Sequence, residues 1–121
     1  MIEEVPIEAQ IETCIEFLSL APIVQSPKTA SYTLKGVIQM LHEARTPQEK
    51  RPSAYISARA VEIAAERLGI PVKNVNVGIS KRWLSPIDEK RNNAYFRAQI
   101  RERTFEEIIE LVKTYEEPIT V

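Results

Sequence analysis

The chain has 121 residues, of which 44% are hydrophobic and 27% charged, and its formal net charge is −1. This length and composition are typical of one folded domain, so we expect residues 1–121 to form a single unit with loose ends at 1–6 and 116–121. No apolar run approaches the roughly 20 residues that a membrane-spanning helix needs. Glu3 and Glu4 stand where a secretory signal would carry basic residues, and we therefore expect a cytoplasmic protein without membrane contact.

Side chains of reactive types are few and isolated. Cys14 is the only cysteine and has no Cys or His nearby in the sequence, which predicts an apolar position on a helix face instead of a disulfide or a metal site. His42 is the only histidine, and no carboxylate or nucleophile is spaced to meet it. Three glycines do not make a glycine-rich phosphate loop. The sequence therefore predicts a protein without catalytic activity, cofactor or metal ion.

The small net charge hides a segregation of charge along the chain. Residues 1–27 carry five acidic residues and no base, and residues 104–121 carry five Glu against one Lys. Residues 28–103 carry 15 Lys and Arg against seven acids, a charge of +8. Two arrangements are consistent with this pattern: a basic surface that faces an anionic partner, or acidic ends that fold back onto the basic middle.

Apolar residues that repeat at intervals of three and four predict the first two helices. The first stripe begins at Ile7, and its helix ends before Pro22. Prolines and polar residues predict a loop over residues 21–30. Ser31 or Thr33 can cap the second helix. The apolar positions of this helix are Leu34, Val37, Ile38 and Leu41.

The third helix has the clearest boundaries in the sequence. It follows residues 46–52, whose charges and bracketing prolines predict an exposed loop. Ser57 caps the helix, which is rich in alanine. Gly69 is expected to end it in a left-handed conformation, and Pro71 prevents its continuation.

Residues 72–80 permit two interpretations. Val75, Val77 and Ile79 alternate with polar residues or glycine, a pattern that favours a half-buried strand. Such a strand needs a partner, for which residues 54–56, residues 119–121 or a second subunit are the candidates.

The alternative is a helix-turn-helix. Ala65, Gly69 and Val75 have the spacing of that motif, and the residues after the turn would then form a recognition helix for the major groove of DNA. Gly78, however, occupies a position where the motif has an apolar anchor, and glycine costs about 1 kcal/mol in a helix interior. The strand is therefore the favoured interpretation.

The last predicted helix is long. Residues 83–86 are expected to turn the chain, and Asp88 to cap a helix that runs to about Tyr115. Together these elements predict a mainly α fold: a small four-helix domain with one short strand or hairpin, with the helix-turn-helix as the alternative.

A basic cluster spans Lys81 to Arg103, with interleaved aromatic and amide side chains. Arg97 and Arg101 would share a helical face, and Lys90 would lie on nearly the same side two turns away. Phosphates of a nucleic acid could follow this face. The competing interpretation is a solvated helix whose charges pair locally. The candidate nucleic-acid-binding residues are Lys81, Arg82, Lys90, Arg91, Arg97, Arg101 and Arg103.

Three segments together resemble a family of short proteins found in bacterial plasmids, phages and integrative elements. These segments are Ser31–Lys35 (SYTLK), Tyr55–Ser57 leading an alanine-rich helix to Gly69, and Asn76–Arg82 (NVGISKR). The resemblance covers residues 31–82. The chain departs from the family pattern at Gly36, at Ala58-Arg59 and in the length of the connection over residues 46–52. The resemblance implies a mobile-element context without a particular activity, and it favours a strand at residues 76–80.

These observations lead to a hypothesis of function. We expect a non-catalytic accessory protein of a bacterium or mobile element that binds nucleic acid through the basic helix face. The alternative is a protein-binding adaptor or inhibitor, whose basic middle meets an acidic protein and whose apolar C-terminal helix pairs with a partner or forms a homodimer.

Overall fold

The computed structural model describes residues 5–116, which form six α-helices, one 3₁₀ helix and a three-stranded antiparallel sheet. The α-helices are α1 (Ile7–Leu18), α2 (Ser31–Arg45), α3 (Ala58–Arg67), α4 (Lys81–Lys90), α5 (Ala94–Gln99) and α6 (Phe105–Glu116). The strands are β1 (Thr29–Ala30), β2 (Val72–Lys73) and β3 (Asn76–Val77), and the 3₁₀ helix is Gln48–Ala54. The protein is thus mainly helical, as the sequence predicts, although the expected number of four helices is wrong.

The core forms where α1, α2 and α3 pack on one another. The predicted stripe of α1 is largely buried, with Phe17 added to it and Ile7 left 43% exposed. The prediction for Cys14 is confirmed, because its side chain is fully buried among apolar neighbours and burial raises the pKa of its thiol to about 12. The alanines of α3 on its inner face are also buried, which allows the two neighbouring helices to approach closely.

Both predicted ends of α3 are confirmed. The Ser57 hydroxyl accepts a hydrogen bond from the Ala60 N–H at 3.2 Å. Gly69 has φ +74°, and the N–H groups of Gly69 and Ile70 donate to the carbonyls of Glu66 and Ala65. These two bonds form a Schellman motif, which satisfies carbonyls that the helix end would otherwise leave unpaired.

The predicted cap of α2 is wrong. Ser31 is the first residue of the helix and Ala30 precedes it, with no side-chain cap bond. The Ser31 hydroxyl instead donates to the Glu62 carboxylate at 2.7 Å, which connects α2 to α3. Ser31 is 1% exposed, so a partner on the neighbouring helix satisfies a hydroxyl that water does not reach.

Residues 72–77 form a hairpin instead of one strand. Strands β2 and β3 pair across a two-residue turn, in which Asn74 adopts φ 57°. Asparagine tolerates this left-handed conformation better than most residues. The partner of β3 on its other side is β1, with Thr29 opposite Val77. Residues 54–56, which include the end of the 3₁₀ helix, do not pair with β3. Residues 73–80 do not form a recognition helix. The third candidate partner, residues 119–121, lies outside the described part of the chain.

The sequence predicts a turn and one long last helix, but the structure has three helices in this region, α4, α5 and α6. Residues 83–86, expected to turn the chain, lie inside α4, whose N-terminus is capped by Ser80. Burial of Leu84 and Ile87 outweighs the backbone hydrogen bond that Pro86 cannot make. Asn93 caps α5, and the chain turns again before α6.

The segment over residues 46–52 is more regular than the expected loop. Gln48–Ala54 have 3₁₀ conformation, and the side chains of Gln48, Glu49 and Lys50 are exposed. The predicted loose ends at 1–6 and 116–121 lie almost entirely outside the described residues.

His42 stands beside the ion pair between Arg45 and Glu16. Its Nδ1 accepts a hydrogen bond from Arg45 Nε at 2.9 Å, and Arg45 also donates to both carboxylate oxygens of Glu16 at 2.6 and 3.0 Å. Burial, followed by the positive charge of Arg45, lowers the pKa of His42 to about 4. The imidazole is therefore neutral in the folded protein at neutral pH.

The first prediction concerns Gly78, whose backbone is enclosed by two neighbouring segments. A Cβ added there would overlap the carbonyl oxygen of Val24 and would lie 3.1 Å from Pro71 Cδ. We expect Gly78→Ala to lower the free energy of unfolding by about 1–3 kcal/mol, measured by urea denaturation, because backbone atoms must shift. Gly36→Ala is the control, since its Cβ would meet only the end of the flexible Arg91 side chain. An equal loss in both variants would contradict this explanation.

The second prediction concerns acid stability. The pKa of His42 is about 4 in the folded protein, below its ordinary value of 6.5. Between pH 4 and pH 6.5, His42 therefore binds a proton more readily in the unfolded chain than in the folded protein. The stabilisation is complete above pH 6.5 and is lost as the pH falls toward 4. We expect a loss on the order of 1–2 kcal/mol from this group, a value reduced for its partial exposure.

Urea denaturation at pH 7 and at pH 4.5 measures this loss. His42→Gln removes the titration and keeps an acceptor for Arg45. The variant should therefore lose less stability than the wild type over this range. The same loss in both proteins would assign the acid sensitivity to carboxylates alone.

Candidate nucleic-acid interface

Three neighbouring concavities, of about 340, 320 and 420 Å³, lie between α2 and the segment that runs from α4 to the turn after α5. The first and second share Thr33, and the second and third share Met40, so that they follow one another along the helix. We call this feature the α2 groove.

The two walls of the α2 groove come from different parts of the chain. The α2 wall carries Tyr32, Thr33, Lys35, Gly36, Gln39, Met40, Glu43 and Ala44, and Lys28 to Ala30 precede it. The opposite wall carries Lys81, Leu84, Ser85, Asp88, Arg91, Ala94, Arg97, Ala98 and Arg101. Positions on this second wall recur at intervals of three and four, because α4 and α5 each present one face to α2.

Arg91 joins the two walls. Its guanidinium lies against α2 at Gly36, where a Cβ would be 2.5 Å from Arg91 Nη1. Asp88 holds the guanidinium in place through an ion pair of 2.6 Å between Nε and Oδ1. Arg97 Nη1 donates to the Arg91 carbonyl at 2.6 Å, so that α5 is connected to the end of α4. Gly36 therefore leaves room for the end of the Arg91 side chain against α2.

The α2 groove is basic. Six bases line it against two acids, a net charge of +4, and Asp88 already pairs with Arg91. Lys28, Lys81 and Arg101 are exposed, whereas Lys35, Arg91 and Arg97 are half-buried. Cations held around a concave surface attract anions more strongly than the same cations spread over a convex one. The groove is therefore suited to a polyanion.

Four of the seven candidate residues are brought together in the α2 groove. They are Lys81, Arg91, Arg97 and Arg101. The single helix face expected for them is wrong, because Arg97 belongs to α5 and Arg101 lies beyond the end of that helix. The common feature is the groove, to which two helices and the following turn contribute.

The other three candidate residues do not line the α2 groove. Arg82 is exposed beside Lys81 but outside the lining. The Lys90 ammonium lies 4.9 Å from the ring centroid of Tyr115, in a cation–π contact. Arg103 is exposed, and its Nε donates to the Gln99 carbonyl at 3.0 Å. These positions make Arg82 and Arg103 suitable controls for their groove neighbours.

Lys28, Lys35 and Tyr32 belong to the α2 groove although the basic cluster at residues 81–103 does not include them. A signal for two of them exists in the sequence: Tyr32 and Lys35 fall between the apolar positions of the α2 stripe and so face away from the core. Which surface they would face could not be known without the packing of α4 and α5.

Neither a metal centre nor a membrane-spanning helix is found among residues 5–116. Within residues 5–116, no three His, Cys, Asp or Glu side chains lie close enough to hold a metal ion. None of the helices in the described part of the chain combines the length and the apolar character needed to cross a bilayer.

Comparison with known proteins finds no match to this chain. No protein-family model matches the chain, and neither a curated protein nor a solved structure is significantly similar to it.

Proposed function

We propose that this protein is a non-catalytic accessory protein of a bacterium or mobile element, and that it binds nucleic acid in the α2 groove. The observation that carries the proposal is the convergence of six bases from three parts of the chain on one groove. Phosphate contacts supply most of the affinity of such proteins for nucleic acid. The mobile-element context rests on the resemblance of residues 31–82.

The length of α2 corresponds to a short segment of phosphate backbone. The 15 residues of α2 span about 22 Å at 1.5 Å per residue. One strand carries a phosphate roughly every 3.4 Å along a duplex axis, so about six phosphates correspond to this length. The six bases of the groove are therefore sufficient for about five phosphate contacts.

The alternative function is binding of an acidic protein by the same bases. The second part of that hypothesis assigned partner contacts to the apolar C-terminal helix. Phe105, Ile108, Ile109 and Val112 of α6 are buried in the core, which leaves this apolar face occupied within the chain. The observations therefore favour a partner recognised by charge, and nucleic acid offers the most regular array of negative charge.

The third prediction is that affinity for nucleic acid depends steeply on salt. With about five phosphate contacts, the affinity should fall on the order of a hundredfold for a single strand, and severalfold more for a duplex, between 50 and 200 mM salt. Fluorescence anisotropy with labelled oligonucleotides measures this change. No binding tighter than about 10⁻⁴ M at 50 mM salt would contradict the proposal and favour the protein-binding alternative.

The fourth prediction places the contacts in the α2 groove. Lys81→Glu with Arg101→Glu replaces two exposed groove bases by repulsive charges. We expect affinity at 50 mM salt to fall at least tenfold, and the slope of log affinity against log salt to become about 1.4 less steep for a single strand. Arg82→Glu with Arg103→Glu is the matched control, because it changes the net charge equally at neighbouring exposed positions.

The control variant should lose at least about threefold less affinity than the groove variant, because Arg82 and Arg103 lie outside the groove lining and do not contact its phosphates directly. Equal losses in the two double variants would show attraction by net charge without a defined groove. Thermal denaturation of both variants checks that the fold is unchanged.

A further inference from the structure

Resting on the function proposed above, we propose that the α2 groove binds single-stranded nucleic acid and that the ring of Tyr32 stacks on one of its bases. Tyr32 lines the middle concavity of the groove together with Lys35 and Arg91. Its side chain is 75% exposed. A base could therefore lie on the ring while the phosphates on either side of it contact the neighbouring cations.

Tyr32 belongs to a cluster of two rings and one ammonium group. Lys35 Nζ lies 5.6 Å from the ring centroid of Tyr32 and 5.6 Å from that of Tyr55. Tyr55 is 49% exposed. The ammonium group therefore lies within cation–π distance of both rings. An exposed aromatic ring beside cations is the combination that single-strand-binding proteins use.

Tyr32 combines exposure with a place in the groove lining, whereas the phenylalanines are buried and the exposed Tyr95 lies outside the lining. Phe17, Phe96 and Phe105 are fully buried and contact other rings in the core. Tyr32 gains no such burial, although it stands only two residues before the buried Leu34. Its exposed face is available to a ligand that has a flat aromatic surface.

A single strand and a duplex differ in how accessible the faces of their bases are to a protein side chain. In a duplex, each base is covered above and below by its neighbours, and a protein ring can reach a base face only after unstacking. In a single strand, bases are accessible at much lower cost. A groove that has an exposed aromatic ring among its lysine and arginine side chains should therefore prefer the single strand.

The fifth prediction tests this preference with the full chain and labelled oligonucleotides in fluorescence anisotropy. Tyr32→Leu should weaken binding of a single-stranded oligonucleotide about 5- to 100-fold, the usual range for the loss of one base–aromatic stack. Tyr32→Phe keeps the ring and should bind like the wild type. An abasic oligonucleotide of the same length keeps its phosphates, so Tyr32→Leu should not change its affinity.

Tyr95→Leu is the matched control. Tyr95 is 72% exposed on α5 but does not line the α2 groove, so its replacement should leave binding of the single strand within about threefold. Thermal denaturation of the Tyr32 and Tyr95 variants checks that each is folded.

The outcomes separate this inference from the function on which it rests. Salt-dependent binding in which Tyr32→Leu matches Tyr95→Leu, or in which the duplex binds as tightly as the single strand, would overturn the stacking proposal and leave phosphate binding in place. Absence of binding to every oligonucleotide at 50 mM salt would overturn both. Loss of binding to the single strand alone, restored in Tyr32→Phe, is the result that the proposal requires.

Discussion

Arg45 joins three helices through one guanidinium group. At the end of α2, it forms two hydrogen bonds with Glu16 of α1, donates to His42, and lies 3.8 Å from the ring centroid of Phe105 at the start of α6. Glu16 also accepts the backbone N–H of Phe105 at 3.1 Å. The Arg45 side chain is only 13% exposed, so these partners supply most of its polar contacts. Although burial would raise the pKa of Glu16, the hydrogen bonds from Arg45 and Phe105 lower it, and the carboxylate stays charged.

The same residue fixes the end of the α2 groove. The Arg45 carbonyl accepts the N–H of Glu102 at 2.8 Å, and Glu102 has φ 62°, a left-handed conformation that is unfavourable for a residue with a side chain. This contact holds the turn between α5 and α6 against the C-terminal end of α2. Arg101 precedes that turn and is thereby placed beside α2, across from Glu43 in the third concavity. Arg45 therefore joins the core helices through its side chain and positions a base of the proposed binding site through its backbone carbonyl.

The sequence predicts those features that depend on residues close together in the chain. It does not predict features that depend on packing between distant segments. Ser57 and Gly69 define the ends of α3, because a capping hydroxyl and a left-handed glycine act within one turn. The region from α4 to α6 was interpreted as a turn and one long helix, since Pro86 indicated a break that burial overcomes and the three- and four-residue spacing continues across the true breaks. The α2 groove could not be predicted, because it depends on Arg91 lying against Gly36, a contact between residues 55 positions apart.

Contacts of α1 explain part of the segregation of charge along the chain. Acidic residues of α1 pair with bases of the middle segment: Glu8 with Arg67 at 2.9 Å and Glu16 with Arg45 at 2.6 Å. Both pairs lie where α1 meets α2 and α3, so this neutralisation stays on one side of the protein. The bases of the α2 groove come from residues 28–101, and none of them belongs to either of these two pairs. An acidic first helix therefore neutralises the bases beside it and leaves the field of the groove positive, as a polyanion-binding surface requires.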